Sequence, residues 1–567
     1  MGVINFAEGR CQNCYACVRV CPVQAIKIKK EQAIILDARC IGCGLCLKAC
    51  PQNLKEIESE LEKVKRFIKT DQKVAVSLAP TYVSLFDDEA TKLGTALKQL
   101  GFDYIEETVV GAKAVTQQYE MYYHQMIDSC YITSCCPTVN LLIQKHYPQT
   151  LPYLLPVISP MSCHARLLKE RYGQKTFVVF IGPCLSKKVE AASEQAVDAV
   201  LTFEELKQWL NEEKIELHEL DETPLEECGS EHLHYPIRGG ITKGFHKKAE
   251  RIDIISVDGI SDCIAAIEGI DAGQFNNTLF EMSACRHSCV GGPAIGCEKS
   301  TVFERQLKIR KHANKIEAIN HPAIKNKDHK ISVYKYFSPL YAEMLMPSES
   351  DIERILNHIG KYKKEDELNC GSCGYKTCRE KAIAVYNKMA EPSMCLPYMK
   401  QKAETYSHVL FDVTPSMIIV VNESLEIIDF NPAAEAFFEI KKDKAIGLPI
   451  NAILDSERFE TVISEKQSVL GERIELNNQM TTLIQSIMYL EQQDVMMCIL
   501  NDISKQLLQQ QKMQHLKINA IHMAQEVINK QMVVAQEIAS LLGETTAETK
   551  VTLTRLKNLI EENEVES

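Results

Sequence analysis

The chain has 567 residues, 25% of them charged, with a formal net charge of −12 at pH 7. That length predicts several domains, and the acidic balance excludes broad nucleic-acid binding as a working expectation. No apolar run approaches the roughly 20 residues that span a bilayer, and the first residues show no basic segment leading into an apolar one, so a cytoplasmic protein without a membrane partner is expected. Cysteine is the outlier: 23 residues, mostly in short-spaced groups, which without an export signal point to cluster or metal ligation rather than disulfides.

Residues 1–55 carry Cys11, Cys14, Cys17 and Cys21-Pro22, then the same C-x2-C-x2-C-x3-C-P run at Cys40, Cys43, Cys46 and Cys50-Pro51. A zinc site needs four ligands and rarely repeats this spacing. The doubled run resembles bacterial two-cluster ferredoxins, in which three thiolates of one run and the fourth of the other hold each cubane. The resemblance implies one [4Fe–4S] cluster on Cys11, Cys14, Cys17 and Cys50, a second on Cys21, Cys40, Cys43 and Cys46, and single-electron transfer between them. Residues 56–71 read as a charged amphipathic helix, a linker to the next domain.

Over residues 72–345 the texture becomes α/β. Short apolar strands at 74–78, 102–105, 177–182, 199–201 and 252–257 alternate with helical stretches, which argues for parallel sheets. Cys136 and Cys184 each follow such a strand, the edge where open α/β sheets bind ligands. A third motif places Cys285 and Cys289 four residues apart, followed by Gly291-Gly292. Thr133-Ser134-Cys135-Cys136-Pro137, then Pro183-Cys184-Leu185-Ser186-Lys187, then Glu281 to Gly292, with Ser159-Pro160 ahead of the second, together resemble the catalytic domain of [FeFe]-hydrogenases.

The resemblance implies an H-cluster: a [4Fe–4S] cubane bridged to a two-iron unit with CO, CN⁻ and azadithiolate. Cys136, Cys184, Cys285 and Cys289 would hold the cubane, with Cys289 as the bridge. Lys187 would donate a hydrogen bond to a cyanide, and Cys135 would relay a proton; its plainer reading is a small core residue. The departures matter. Gly182 and Ser283 stand where catalytic members have Met. Arg286-His287-Ser288 replace Pro-Gly-Gly, and Thr138-Val139 replace Gly or Met followed by Trp. Upstream, Thr116 to Tyr123 offers only Glu120 to ionise near neutral pH, because tyrosine titrates near ~10. A proton wire needs groups that exchange protons at the working pH, so the usual path is expected to be broken and turnover slow. His287 reads either as a substitute proton group or hydrogen bond to a cluster sulfur, or as a surface or packing residue.

Residues 346–403 contain Cys370, Cys373, Cys378 and Cys395. A zinc ribbon would carry a second C-x2-C pair; this spacing instead resembles a small [4Fe–4S] domain of anaerobic redox proteins and implies a third accessory cluster. Cys130, Cys163, Cys228, Cys263, Cys297 and Cys498 form no spaced motif, and buried inert thiols are the expectation for Cys163 and Cys297. Residues 404–505 resemble a PAS domain, with Asn431 capping a helix that begins at Pro432. Nothing there singles out haem or flavin, so an empty, dimerising PAS is expected. Residues 506–567 read as a helical hairpin with an apolar stripe of Met513, Leu516, Ala520, Met523, Val527, Val534, Ile538 and Leu541. Gly543 ends the first helix, and Thr545 to Glu548 has capping-box spacing for the second. His522 reads as a surface histidine.

The expected fold is therefore multidomain α/β and α+β: ferredoxin-like cluster module, α/β H-cluster domain, small [4Fe–4S] domain, PAS domain and C-terminal helical hairpin. The expected function is a slow, sensory [FeFe]-hydrogenase that exchanges H2 with protons and electrons and signals through its PAS domain and tail. Its expected partners are ferredoxin or another electron carrier, hydrogenase maturation factors, a downstream signalling protein, and a second copy through the PAS domain and helices. A metabolic ferredoxin-linked hydrogenase is one alternative. An iron–sulfur scaffold or electron-transfer protein without the two-iron unit is the other.

Overall fold

In a computed structural model of the chain, the described residues are 3–6, 11–223, 225, 232–246, 251–296, 300–318, 331–342, 344–476, 481–491, 493–542 and 546–562. Cys228, Cys297, Gly543 and Thr545, each given a reading above, lie outside them. The chain divides into two compact units, Met1–Met399 and Lys400–Ser567.

In the first unit each ferredoxin cysteine run wraps a five-residue helix, Ala16–Val20 or Leu45–Ala49. The chain enters each helix through a left-handed residue, Tyr15 (φ 55°) or Gly44 (φ 73°). Strands Ile26–Lys29 and Gln32–Ile35 form an antiparallel hairpin, and Ile4–Phe6 pairs antiparallel with Lys55–Ile57. That second pair corrects the linker reading. Residues 56 and 57 complete a strand, and the helix is only Leu61–Ile68. The Glu-rich stretch has adequate helix propensity, but pairing with the N-terminal strand overrides so weak a preference.

Two parallel sheets follow. The first has the order Tyr104–Glu107, Val74–Leu78, Phe177–Gly182, Ala199–Thr202. Its two central strands are buried along their whole length, as continuous apolar runs in a covered parallel sheet should be. The second has the order Asp253–Asp258, Thr278–Ser283, Cys130–Ile132. The strand expected at 102–105 starts two residues later, because Phe102 turns into the core, edge-on to Trp209 with ring centroids 5.7 Å apart.

A buried ionic knot ties the first sheet to helix Pro160–Tyr172. Glu106 accepts from Arg171 Nη1 and Tyr172 Oη, both at 2.6 Å, and lies 3.1 Å from His164 Nε2. His164 Nδ1 is 2.8 Å from Ser77 Oγ. Ser159 caps the same helix, its hydroxyl accepting from Ser162 N, so the knot fixes where residues 159–161 lie.

In the second unit, Met417–Asn422 is flanked by Ile427–Phe430 and Val495–Asp502 in a five-stranded antiparallel sheet completed by Thr481–Leu490 and Val469–Leu476. One face packs on a core of Ile419, Phe430, Phe459, Ile487 and Met496. Asn431 caps helix Pro432–Phe438, its Oδ1 accepting from Ala434 N at 2.9 Å. Helix Ser504–Leu542 runs 39 residues and meets Thr546–Glu562. Met513, Leu516, Met523, Val527, Val534 and Ile538 are all more than half exposed on it. Among the described residues no helix is long and apolar enough to cross a membrane.

Burial alone would raise the Glu106 carboxyl, but His164, Tyr172 and Arg171 together bring it from 4.5 down to about 2. A depressed carboxyl stabilises the fold fully above its unfolded pKa and loses that contribution as pH falls through the folded one. Glu106→Gln should therefore cost about 3–5 kcal/mol near neutral pH. In a pH series of thermal melts, the gap between mutant and parent should close as pH falls from 4.5 toward 2.

Candidate metal centre

Three strand ends deliver the cysteine motifs to one place. Cys135 and Cys136 follow Cys130–Ile132, with Cys136 as N-cap of helix Pro137–His146. Cys184 lies between Phe177–Gly182 and helix Ser186–Ala192, and Cys285 and Cys289 follow Thr278–Ser283. All five thiols and Lys187 line one cavity of about 110 Å³, walled by Ala79, Phe180, Tyr235 and the start of helix Pro160–Tyr172. Cys289 is reachable from this cavity although protein surrounds it on all sides.

The four thiols assigned to a cubane suit a cluster better than a single ion. Among the described residues, no three His, Cys, Asp or Glu side chains converge as they would on one metal ion. Burial, then neighbouring sulfurs, pushes Cys184 to about 11 and Cys289 to about 12, and raises Cys285 well above 9. Thiols so placed stay protonated until a cationic group displaces the protons. The donor set thus fits an iron–sulfur group.

Lys187 points into the cavity and donates to Glu190 Oε2 at 2.7 Å. Burial opposes its charge, but Glu190 and the Cys135 sulfur outweigh it and raise the ammonium above its ordinary value. Glu190 is correspondingly lowered against its own burial, so both partners stay charged. Cys135 is raised well above 9 by burial, which Lys187 only partly offsets.

The helix upstream of Cys135, Val109–Gln125, turns hydroxyls rather than carboxylates toward the site. Tyr119 Oη lies 3.1 Å from Ser134 Oγ, and Thr116 Oγ1 lies 2.7 Å from Tyr235 Oη. Burial raises both tyrosines well above 10. Glu120 does not line the cavity; it sits 3.8 Å from His124, itself 42% exposed.

Two departures acquire physical meaning. A Cβ at Gly182 would lie 2.6 Å from the Phe180 ring, so that ring fills the space a larger residue would need. His287 and Ser288 both hold left-handed backbone, φ +65° and +61°, which costs a non-glycine residue about 1–2 kcal/mol. The turn is retained because His287 N donates to Asp258 Oδ2 at 2.6 Å and Ser288 N to Cys285 O at 3.0 Å. Gly291 must be glycine, since a Cβ would sit 1.9 Å from Arg286 O. The His287 ring packs on Phe303 and faces a separate polar cavity with Arg238, Asp258 and Arg310, not the cysteine cavity.

The ferredoxin module abuts this site. Ser186 Oγ donates to Gly42 O at 2.9 Å and lies 2.5 Å from Thr138 Oγ1. Gly42 (φ +69°) permits the approach, because a Cβ there would sit 2.8 Å from Ser186 Oγ. Cys21, Cys40 and Cys43 pack in the same apolar cluster as Cys136. Burial, then Cys21, Cys46 and Cys40, pushes Cys43 to about 12, which puts those four sulfurs together. Cys11, Cys17 and Cys373 share another cluster with Tyr15 and Tyr375. Cys370, Cys373, Cys378 and Cys395 line a third, small cavity. Cys130, Cys163, Cys263 and Cys498 are buried, and burial raises Cys163 and Cys498 to about 12. The Ser186–Gly42 bridge, the Asp258 anchor and the two positive-φ residues carried no signal in the sequence beyond the glycines themselves.

Residues 72–293 match the family model described as iron only hydrogenase large subunit, C-terminal domain. Residues 10–54 match a 4Fe-4S dicluster domain, 366–397 an Fe–S cluster family and 415–505 a PAS domain. Iron hydrogenase 1 of Clostridium pasteurianum is 27% identical over 299 residues, 41% of this chain and 52% of that protein, so the chain spans about half of that relative's length. The NADP-reducing hydrogenase subunit HndD of Solidesulfovibrio fructosivorans is 22% identical over 431 residues, 64% of this chain and 68% of its own. A cytosolic Fe-S cluster assembly factor of Danio rerio is 21% identical over 388 residues, 56% of this chain and 92% of its own. A solved [FeFe]-hydrogenase of Chlamydomonas reinhardtii is 16% identical, with TM-score 0.41, covering 50% of this chain and all of that one.

Asp258→Ala should release the strained turn. Loss of one charged acceptor for a backbone N–H costs about 1–3 kcal/mol. After iron–sulfur reconstitution, this variant should retain less iron per chain than the parent, at equal protein recovery.

Proposed function

From a chain that joins an iron-only-hydrogenase C-terminal domain to a 4Fe–4S dicluster domain and a PAS domain, we propose a sensory [FeFe]-hydrogenase, an oxidoreductase that meets H2 slowly and reports its redox state. The observation that carries this reading is the cavity itself: Cys135, Lys187 and four further thiols share it, while the helix behind Cys135 offers only hydroxyls. On this reading Cys136, Cys184, Cys285 and Cys289 hold an H-cluster, with Cys289, the thiol most open to the cavity, as the bridge. When bound, that group supplies the reversible splitting of H2 into protons and electrons. Lys187 provides a fixed ammonium for an anionic diatomic ligand, held in place by Glu190.

Cys135 holds the proton at Sγ, on the cavity wall it shares with Lys187 and Cys289. From there the proton meets hydroxyls whose pKa values lie far above neutrality, so its exit is slow. The ferredoxin sites take electrons away, the Cys370–Cys395 site forms a third cluster, and the PAS unit with its helices dimerises and engages a signalling partner in the cytoplasm. The likeness to a cytosolic Fe-S cluster assembly factor of Danio rerio favours a second reading, an iron–sulfur scaffold or electron-transfer protein, for which we infer no two-iron unit. Cys135 and Lys187 would then have no task in the cavity.

Matured, anaerobic protein should show CO and CN⁻ infrared bands and H2-dependent cluster reduction. Absence of both would sink the hydrogenase reading and favour the scaffold. Tyr119→Glu, which puts an ionisable carboxyl beside Ser134, should raise dye-linked H2 turnover by about tenfold or more, within the usual span of acid–base contributions; an unchanged rate would mean that proton exit does not limit. Val527→Glu should convert a dimer to monomer in light scattering, since charge on an exposed apolar helix stripe opposes its pairing.

A further inference from the structure

The Cys370–Cys395 cavity holds two amines that ligation does not require. Lys381 is 1% exposed and lies one turn along helix Cys378–Tyr386 from Cys378. Its Nζ donates to Pro392 O at 2.9 Å. Lys361 is 6% exposed and donates to Asp366 O at 2.5 Å. Both line the cavity beside all four thiols. Among the described residues neither lysine forms a salt bridge with a carboxylate; Lys361 still feels the Asp366 carboxyl, whereas the influences that favour a charged Lys381 come from cysteine sulfurs.

Such an arrangement is unfavourable on its own, because burial disfavours an ammonium without a counter-charge. Burial does lower Lys381, and the opposing influences come from Cys395, Cys373 and Cys378. The lysine therefore makes sense once the four sulfurs carry negative charge.

We propose that Lys381, supported by Lys361, holds a [4Fe–4S] cluster at Cys370, Cys373, Cys378 and Cys395 at a higher reduction potential than the same four ligands would give without it. This rests on the reading that the third site binds a cluster. One-electron reduction adds a negative charge and takes up no proton. A fixed cation in a poorly solvated site stabilises that reduced state more than the oxidised one. The third site is thereby made easier to reduce. Its last ligand, Cys395, directly precedes helix Leu396–Val413, so the added charge falls at the positive end of that helix dipole.

The test is an EPR-monitored redox titration of the reconstituted full chain with dithionite, on the parent, K381M, K381R and C378S, with iron counted in each. C378S identifies the third signal by its loss. In K381M the reduced-to-oxidised ratio at the parental midpoint should fall about tenfold, which is about 59 mV for a one-electron couple. K381R should stay near the parent, and the other signals should not move. If K381M loses the signal, K361M must shift it in the same direction by less. A third signal with an unmoved midpoint, or an equal shift in K381R, overturns the lysine assignment alone. A parent with no third signal and correspondingly less iron overturns the cluster reading, and the proposal with it.

Discussion

Sulfurs crowded into a cavity away from water repel one another once ionised, and most of this protein is arranged around that repulsion. Cys184, Cys285 and Cys289 are held protonated by burial and by their neighbours until something cationic replaces the protons. The two parallel sheets matter because their strands end together, so rigid backbone sets where each sulfur waits. The Glu106 knot holds the helix that closes one wall. Lys187 is tolerated there because Glu190 balances it. Preorganisation of this kind leaves little for the incoming group to reorder.

The same cavity also shows how an old backbone accepts new side chains. Arg286-His287-Ser288 adopt a path suited to glycine, and the strain is offset by one charged acceptor on a neighbouring strand. Phe180 occupies what Gly182 vacates. Behind Cys135 the exchange is chemical rather than steric. Tyr119 and Thr116 place hydrogen-bonded hydroxyls there, groups that do not ionise near neutral pH.

The cysteine motifs were legible in the sequence because their short spacings repeat, and the strands before them because covered parallel strands read as apolar runs. The PAS helix start was legible from Asn431-Pro432, where cap chemistry is local. What was not legible depends on contacts distant in the chain. The Lys55–Ile57 strand exists only because Ile4–Phe6 lies beside it. The orientation of His287 follows from Asp258 and Phe303, 29 residues before it and 16 residues after it. Lys381 looked like an ordinary helix lysine, since nothing in a helical repeat shows that it turns inward over four thiols.

The contact at Gly42 bears on how such proteins can be assembled from parts. A doubled cysteine run at the start of a chain looks detachable, a cassette that recombination could exchange for any other ferredoxin. Here the cassette's backbone lies against Ser186, and Gly44 lies where a Cβ would strike Pro293 at 2.7 Å. A donor ferredoxin with a side chain at either position would have to displace Ser186 or Pro293 to seat, so exchanging the cassette calls for matching changes on the surface it covers.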